Sequence, residues 1–399
     1  MAARGGAGPM KDRVFLLVLL VALAVRVQLA MSREYIHDEV NTAIPLSKTI
    51  SFAPGHLHLP LRGENHPALP AYVVKASSTL FGTSRVGYRL MHVLLGLVTI
   101  ALVYSLTRQW YGDGPARWAA VFLAFNEYYL NVSSRATAHV PNLLLVTGAV
   151  YAFSRFLATE RAIYLYGAAA SAGLAFYCKE STGLLLPVFA LTLVITKYRR
   201  WLLSPHLYLA CATYALILSP DILWNLRTNP DTATVSYNNE THGQATYAAH
   251  LRRVGGLGLS PYPSMFYFRS PVSWLYQRVT GNELKDETTE YWSVNAVIGG
   301  LLVGTVLVST ARWASPDQLR VFLLVMFWGI FAFFTLIKKG DPPGRLDPVS
   351  WIWVEITIVP AVILAGARLT ELTGKWRVLA WTLAALALVT ACVRLLAAE

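Results

Sequence analysis

Two adjacent carboxylates, Asp38 and Glu39, follow an apolar stretch over residues 14–31 by only a few positions. That placement predicts a site at the boundary of a membrane, where a carboxylate is partly desolvated. Its basicity then rises towards the value needed to deprotonate a hydroxyl group. The pair is therefore a candidate general base, and a charge at the start of a helix on a solvated loop is the alternative interpretation.

A second set of side chains could bind an anion. Lys179 ends an apolar segment on the predicted outer side, which indicates a partner for its charge, or it could extend its ammonium group to the membrane surface without a ligand. Arg89 lies just inside another apolar segment and could instead pair with Glu39 or Glu127. His66 is either a ligand or a cap for a turn.

The composition indicates what kind of protein positions these groups. The chain has 399 residues, of which 55% are hydrophobic and 14% are charged. The mean hydropathy is +0.45, outside the usual range for a soluble globular protein. The sequence therefore predicts an integral membrane protein.

Apolar windows of spanning length predict an all-α polytopic bundle of about eleven transmembrane helices. The predicted spans are 14–31, 87–107, 117–130, 141–158, 162–177, 181–197, 203–219, 293–311, 319–337, 351–370 and 377–396. All of them belong to one integral membrane domain over residues 1–399.

The distribution of basic residues predicts the topology. With the N-terminus in the cytoplasm, every short inner loop is basic, as the positive-inside rule requires. The two long segments, 32–86 and 220–292, then lie on the outer side, and residues 67–81 and 261–279 within them are candidate amphipathic helices at the interface. Because topology accounts for much of the net charge of +12, no nucleic-acid partner is expected. We expect a protein of the plasma (inner) membrane with an extracytoplasmic active site.

The metal-binding signals are weak. Cys178, Cys211 and Cys392 are scattered without pair spacing, so neither disulfides nor a zinc site are indicated. Asp38, Glu127 and His139 could together hold a divalent cation, but their spacing forms no ligand motif. A divalent cation therefore stays open, and no cofactor is expected with certainty.

Four motifs occur in order on the predicted outer side. They are the acidic pair 38–39, Asn-His-Pro-Ala-Leu-Pro-Ala-Tyr at 65–72, Phe-Tyr-Cys-Lys-Glu at 176–180 running into Leu-Leu-Leu-Pro at 184–187, and Trp-Asn-Leu-Arg at 224–227. Together they resemble the GT-C glycosyltransferases, in particular the branch that contains protein O-mannosyltransferases and the lipid A aminoarabinose transferase. The resemblance covers about residues 10–230 well and the remainder as helix layout.

The resemblance implies a helix bundle with an outward-facing cavity, where a polyprenyl-phosphate sugar donates its sugar to an acceptor hydroxyl with inversion. Asp38 would be the base that takes the proton of the acceptor, and cations near the membrane surface would stabilise the leaving phosphate. The predicted substrate-binding residues are Glu39, His66, Arg89, Glu127, Arg135, His139, Lys179, Arg227 and Arg345. The expected partners are a polyprenyl-phosphate donor of mannose or a related sugar, an acceptor glycan, lipid or protein, and membrane lipid.

The sequence departs from the family at two places. Ala138, His139 and Asn142 occupy the stretch where a second carboxylate is expected, and only Glu127 remains nearby. Trp351 and Trp353 stand where the family commonly has an Arg-Tyr pair.

Two other classes of protein remain as alternatives. A transporter or lipid flippase also needs many helices, but it should carry ionisable residues at mid-membrane depth or broken helices in both halves. Here the charges within spans are few, namely Arg26 and Glu355. A structural scaffold leaves the acidic pair and Lys179 unexplained.

Overall fold

The computed structural model describes residues 12–53, 68–228, 266–267, 278–279, 296–312, 317–336 and 355–375, together with a few positions between 378 and 393. These residues form helices and connecting turns, without a β-strand among them. The predicted all-α class is therefore confirmed.

The helices are α1 (Arg13–Ser32), α2 (Ile44–Thr49), α3 (Leu69–Phe81), α4 (Arg85–Tyr111), α5 (Asp113–Ala124), α6 (Glu127–Ser133), α7 (His139–Thr159), α8 (Ala162–Phe176), α9 (Leu185–Ile195), α10 (Pro205–Thr228), α11 (Ala296–Ala311), α12 (Gln318–Leu336) and α13 (Ile358–Glu371). A π-helical turn covers Glu39–Ala43, and 3-10 segments cover Glu180–Leu184 and Lys197–Leu203.

Among the described residues, four helices are long and apolar enough to cross a membrane, namely α1, α4, α7 and α12. A fifth span would be the bent pair Ser181–Ile195 and Lys197–Leu203, whose axes differ by 119°. The described residues do not settle the predicted number of about eleven. They do place helices at most of the predicted positions, including 87–107, 141–158 and 319–337.

Asp12 joins three helices at one end of the bundle. Its Oδ1 accepts hydrogen bonds from the backbone N–H groups of Val14 and Phe15 at 3.1 and 3.2 Å, which caps α1. Its Oδ2 accepts from Tyr104 of α4 at 2.7 Å and from Arg117 of α5 at 2.8 Å. One carboxylate therefore fixes the relative positions of three helices.

The predicted span 117–130 is wrong as a single helix. Helix α5 ends at Ala124, and Asn126 caps α6 by accepting the N–H of Tyr129 at 3.1 Å. Arg26 of α1 is fully buried and donates to the carbonyl of Ala124 at 2.9 Å and to Ser133 Oγ at 2.7 Å. The break persists because Asn126 caps the second helix and Arg26 satisfies the last carbonyl of the first.

Helix α4 is central to the bundle, since α1, α3, α5 and α7 all pack against it. Two close approaches set the packing of its neighbours. Gly82 has φ +84° between α3 and α4, and a Cβ on Gly87 would lie 2.0 Å from the carbonyl oxygen of Gly82. A Cβ on Gly366 of α13 would lie 2.4 Å from the carbonyl oxygen of Pro115 in α5. Glycine at these positions lets the helices meet at backbone contact.

The first predicted interfacial segment is a helix, since α3 covers Leu69–Phe81. Its buried face carries Ala71 and Val74, while Leu80 and Phe81 are exposed. Whether α3 lies in the membrane interface stays a prediction. The second segment, 261–279, lies almost entirely outside the described residues, as does most of the long segment 220–292.

Candidate active site

Five separate segments meet at one end of the helix bundle. They are the loop after α1, the first turns of α4, the link from α6 into α7, the loop after α8, and the turn before α13. Helices that run in alternate directions bring their outer ends to the same side, so the topology predicted from the sequence places these segments together. The polar side chains of the site form two neighbouring groups.

Glu39 anchors the first group. Its side chain and that of Arg89 have no exposed surface, and Arg89 Nε and Nη2 each donate to Glu39 at 2.7 Å. Glu39 also accepts the backbone N–H groups of Ala136 at 2.8 Å and Ile36 at 3.1 Å. Arg89 further donates to the carbonyl of Arg33 at 2.7 Å. Both side chains are therefore fully hydrogen-bonded inside the protein, and their roles as substrate ligands stay a prediction.

Asp38, by contrast, has an exposed side chain. Its side chain is 41% exposed, and its Oδ1 lies 4.0 Å from Nδ1 of His37. Within the described residues, Asp38 accepts no hydrogen bond, so its oxygens are accessible to a ligand. The two residues of the acidic pair therefore differ: Glu39 is buried and fixes the loop, whereas Asp38 is exposed at the surface.

Glu355 is the centre of the second group. It is fully buried in the turn before α13. Its Oε1 lies 3.0 Å from Lys179 Nζ and accepts the side-chain N–H of Asn142 at 2.8 Å. Its Oε2 accepts the hydroxyl of Tyr128 and lies 2.6 Å from His139 Nδ1. A carboxylate from a distant part of the chain therefore lies beside His139 and Asn142.

His139 Nδ1 has more neighbours than one ring nitrogen can bond. It lies 2.6 Å from Glu355 Oε2 and 2.9 Å from Lys179 Nζ. A protonated Nδ1 donates to Glu355, whereas an unprotonated Nδ1 accepts from Lys179, and the two cannot hold together. The much shorter contact to an acceptor-only carboxylate favours Nδ1–H donating to Glu355.

Lys179 belongs to the second group, and the charge of Asp38 also acts on it. Its side chain is 12% exposed and forms an ion pair with Glu355. Burial lowers the pKa of Lys179, and the charges of Glu355 and Asp38 oppose that shift. The ammonium group therefore lies within the electrostatic influence of both carboxylates, one buried and one accessible.

Further positive charge lies behind the acidic loop. Arg33 donates to Asn131, and burial together with the charges of Arg135 and Arg89 lowers its pKa, which Glu127 opposes. The predicted residues Glu127 and Arg135 are both buried in this region. Arg33 was not among the predicted site residues, although its position directly after the first apolar segment would have indicated that it lies near the acidic pair.

The described residues form no site for the divalent cation that the sequence left open. In the part of the chain that the structure describes, no three His, Cys, Asp or Glu side chains are grouped as a metal site requires. Asp38, Glu127 and His139 in particular are not brought together. In the favoured arrangement, the Nδ1 of His139 already donates to Glu355.

The remaining predicted ligands are not all described. His66 and Arg345 lie outside the described residues, and Arg227 lies within the bounds of α10 without a described side chain. Of the described candidates, His139 and Lys179 meet each other, and Asp38 acts on Lys179 through its charge. Glu355, Tyr128 and Asn142 also belong to this group, and their types and spacing in the sequence did not predict it.

Comparison with solved structures identifies the fold. ArnT from Cupriavidus metallidurans bound to undecaprenyl phosphate superposes with a TM-score of 0.64 at 19% identity, covering 94% of this chain and 63% of ArnT. The oligosaccharyltransferase of Archaeoglobus fulgidus in complex with Zn and sulfate gives 0.57 at 17% identity, covering 95% and 52%. The chain shares the fold of these two proteins, which is the GT-C fold that the sequence predicted.

Sequence comparison points in the same direction. The model of the dolichyl-phosphate-mannose-protein mannosyltransferase family matches residues 65–224. An uncharacterized protein of Aquifex aeolicus is 25% identical over 124 residues, which are 31% of this chain and 25% of that protein. The chain spans less than two thirds of the length of each of these relatives.

Proposed function

We propose that this protein is an inverting glycosyltransferase that moves a sugar, mannose or a related one, from a polyprenyl-phosphate donor to an acceptor hydroxyl. The observation that carries the proposal is the division of the acidic pair. Glu39 is locked by Arg89, so that Asp38 stands accessible within the electrostatic influence of Lys179. The GT-C fold and the match to a mannosyltransferase family model support the same reaction class.

In the proposed reaction, the acceptor oxygen attacks the anomeric carbon and transfers its proton to Asp38. The bond from the anomeric carbon to the phosphate oxygen breaks on the opposite face, which inverts the configuration. The polyprenyl phosphate leaves with an additional negative charge, and Lys179 is the cation that meets it. Arg135 and Arg33 add positive potential on the other side of the loop.

The location of the site suits a donor with an apolar tail. The site lies at the ends of spanning helices, where a phosphate can remain at the membrane surface while its lipid stays in the hydrocarbon. The positive charges of the opposite end of the bundle support a cytoplasmic N-terminus and an extracytoplasmic site. The acceptor can be a glycan, a lipid or a protein, because each presents an oxygen nucleophile to the same base.

The test is sugar transfer by the purified protein from a panel of synthetic polyprenyl-phosphate sugars. We expect Asp38→Asn to reduce kcat by about 10²–10⁴-fold, the usual contribution of a general base. Glu34→Gln is the matched control, because Glu34 is an exposed carboxylate in the same loop that pairs with Arg85 at 3.2 Å.

Three results are informative. Release of polyprenyl phosphate by the wild type and by Glu34→Gln, but not by Asp38→Asn, supports the proposal and identifies the donor. Equal rates in Asp38→Asn would remove Asp38 as the base. No transfer from any donor would contradict the transferase and favour the transporter or flippase.

A further inference from the structure

Glu355 is a buried carboxylate that no sequence motif singled out. We propose that Glu355 is a positioning residue, whose negative charge fixes the ammonium group of Lys179 at the edge of the site and keeps it protonated. The proposal deepens the proposed function and rests on it in one respect, namely that Lys179 meets the donor phosphate. The arrangement of Lys179 by Glu355 can be tested without any substrate.

The groups around Glu355 are those that an ionised carboxylate binds. Asn142 and Tyr128 donate to Oε1 and Oε2 respectively, and Lys179 and His139 approach the same two oxygens at 3.0 and 2.6 Å. An ionised carboxylate accepts about four hydrogen bonds and donates none. A protonated carboxyl or a glutamine amide would direct hydrogen atoms at groups that are themselves donors.

The ion pair constrains a side chain that is otherwise flexible. Lys179 lies in the short loop after α8, and a lysine has four rotatable bonds before its ammonium group. The contact with Glu355 fixes Nζ, and the N–H groups that remain are available to a ligand. Because His139 Nδ1 donates to Glu355 in the favoured arrangement, it does not consume a second Lys179 hydrogen.

The surrounding charges determine whether Lys179 keeps its proton. The groups that face it are Glu355 from the turn before α13, His139 from α7, Asp38 from the loop after α1, and the adjacent Cys178. Burial favours the neutral amine, and the two carboxylates favour the ammonium ion. Removal of the charge on Glu355 leaves Asp38 as the only carboxylate among these neighbours, so Lys179 should lose its proton at a lower pH.

The first experiment measures Lys179 directly. An amine-reactive reagent is applied to the purified wild type, Glu355→Gln and Glu355→Asp across a range of pH, and modification of each lysine is quantified by peptide mass spectrometry. We expect Lys179 to react about tenfold faster or more in Glu355→Gln at neutral pH, which corresponds to one pKa unit or more. Glu355→Asp retains the charge and should restore the wild-type profile.

Lys48 is the internal control for that measurement, because it is exposed in α2. Its reaction profile should be the same in all three proteins. An identical Lys179 profile in the wild type and Glu355→Gln would overturn the proposal. A thermal unfolding scan identifies any variant that is misfolded, and Glu355→Asp then carries the comparison with the wild type.

The second experiment measures the consequence for the donor site. Binding of undecaprenyl phosphate and the pH profile of transfer are compared in the same proteins. We expect Glu355→Gln to lower kcat/KM on the order of 10²-fold, because Nζ is no longer held in place, and to move the alkaline limb to lower pH. Unchanged kcat/KM and pH profile in Glu355→Gln would overturn the proposal.

The two experiments separate failure of this inference from failure of the proposed function. Absence of undecaprenyl phosphate binding and of transfer in the wild type would contradict the proposed function. The reactivity profile of Lys179 would still decide the role of Glu355.

Discussion

Asp38 and Glu39 are adjacent in the chain but have opposite environments. Glu39 has no exposed surface and pairs with an equally buried Arg89, while Asp38 is 41% exposed. A carboxylate that is fully paired inside the protein cannot serve as a base for an outside substrate. The buried residue of the pair instead determines where the exposed one stands.

That relationship predicts the effect of Glu39→Gln. The substitution leaves Arg89 charged, buried and without its carboxylate, a change that typically costs about 3–5 kcal/mol. We expect a marked fall in the midpoint temperature of thermal unfolding, and a loss of transfer activity because the loop that carries Asp38 is released.

Glu34→Gln is again the matched control for this prediction. It makes the same chemical change in the same loop, but in an exposed pair with Arg85. Exposed ion pairs contribute little to stability. Equal midpoint temperatures for the two variants would show that the buried pair does not hold the loop.

The sequence identified the end of the molecule that carries the site better than it identified the contacts there. Alternating helix directions predicted that Asp38, His139 and Lys179 lie at the same end of the bundle. Hydropathy alone predicted the first helix. Glu355 was read only as a charge within an apolar span. Nothing in a one-dimensional pattern indicates which span packs against Lys179, so the ion pair between these two residues could not be predicted.

At the level of elements, the breaks in the helices follow the same logic. A hydropathy window over 117–130 reads as one span, yet Asn126 caps a new helix and Arg26 of α1 binds the end of the preceding one. The signal for the cap was in the sequence, but the distant partner was not. The resulting short helix α6 carries Tyr128 to Glu355.

The contact between α5 and α13 positions the turn that carries Glu355. Gly366 allows α13 to approach α5, since a Cβ there would lie 2.4 Å from the carbonyl oxygen of Pro115 and 3.0 Å from the amide nitrogen of Ala119. We expect Gly366→Ala to lower the midpoint temperature of thermal unfolding, because one of the two helices must move. Transfer activity should fall as well, because α13 begins directly after Glu355.

Gly304→Ala is the control for that substitution. Gly304 lies in α11, and a Cβ there would meet nothing within 4 Å. Alanine favours a helix over glycine by about 1 kcal/mol, so this variant should be as stable as the wild type or more so. A stable and active Gly366→Ala would show that the approach of α5 and α13 is not required.

For the whole molecule, the distribution of basic residues and the location of the site together predict on which side of the membrane Asp38 lies. Basic residues cluster at the end of the bundle opposite Asp38, so the positive-inside rule puts Asp38 on the extracytoplasmic side. A chain inserted in the other orientation would place the same residues in the cytoplasm. The fold alone does not distinguish the two orientations, because helix packing is identical in both.

Single cysteines distinguish them in intact cells. In a variant without Cys178, Cys211 and Cys392, His37→Cys and Leu203→Cys place thiols at opposite ends of the bundle, on side chains that are 77% exposed in His37 and 84% exposed as a residue in Leu203. We expect a membrane-impermeant thiol reagent to label His37→Cys in intact cells and Leu203→Cys only after permeabilisation. The cysteine-free variant reports background labelling. Labelling of Leu203→Cys alone in intact cells would reverse the topology and place the proposed chemistry in the cytoplasm, since Asp38 is next to His37 and cannot face the other side of the membrane.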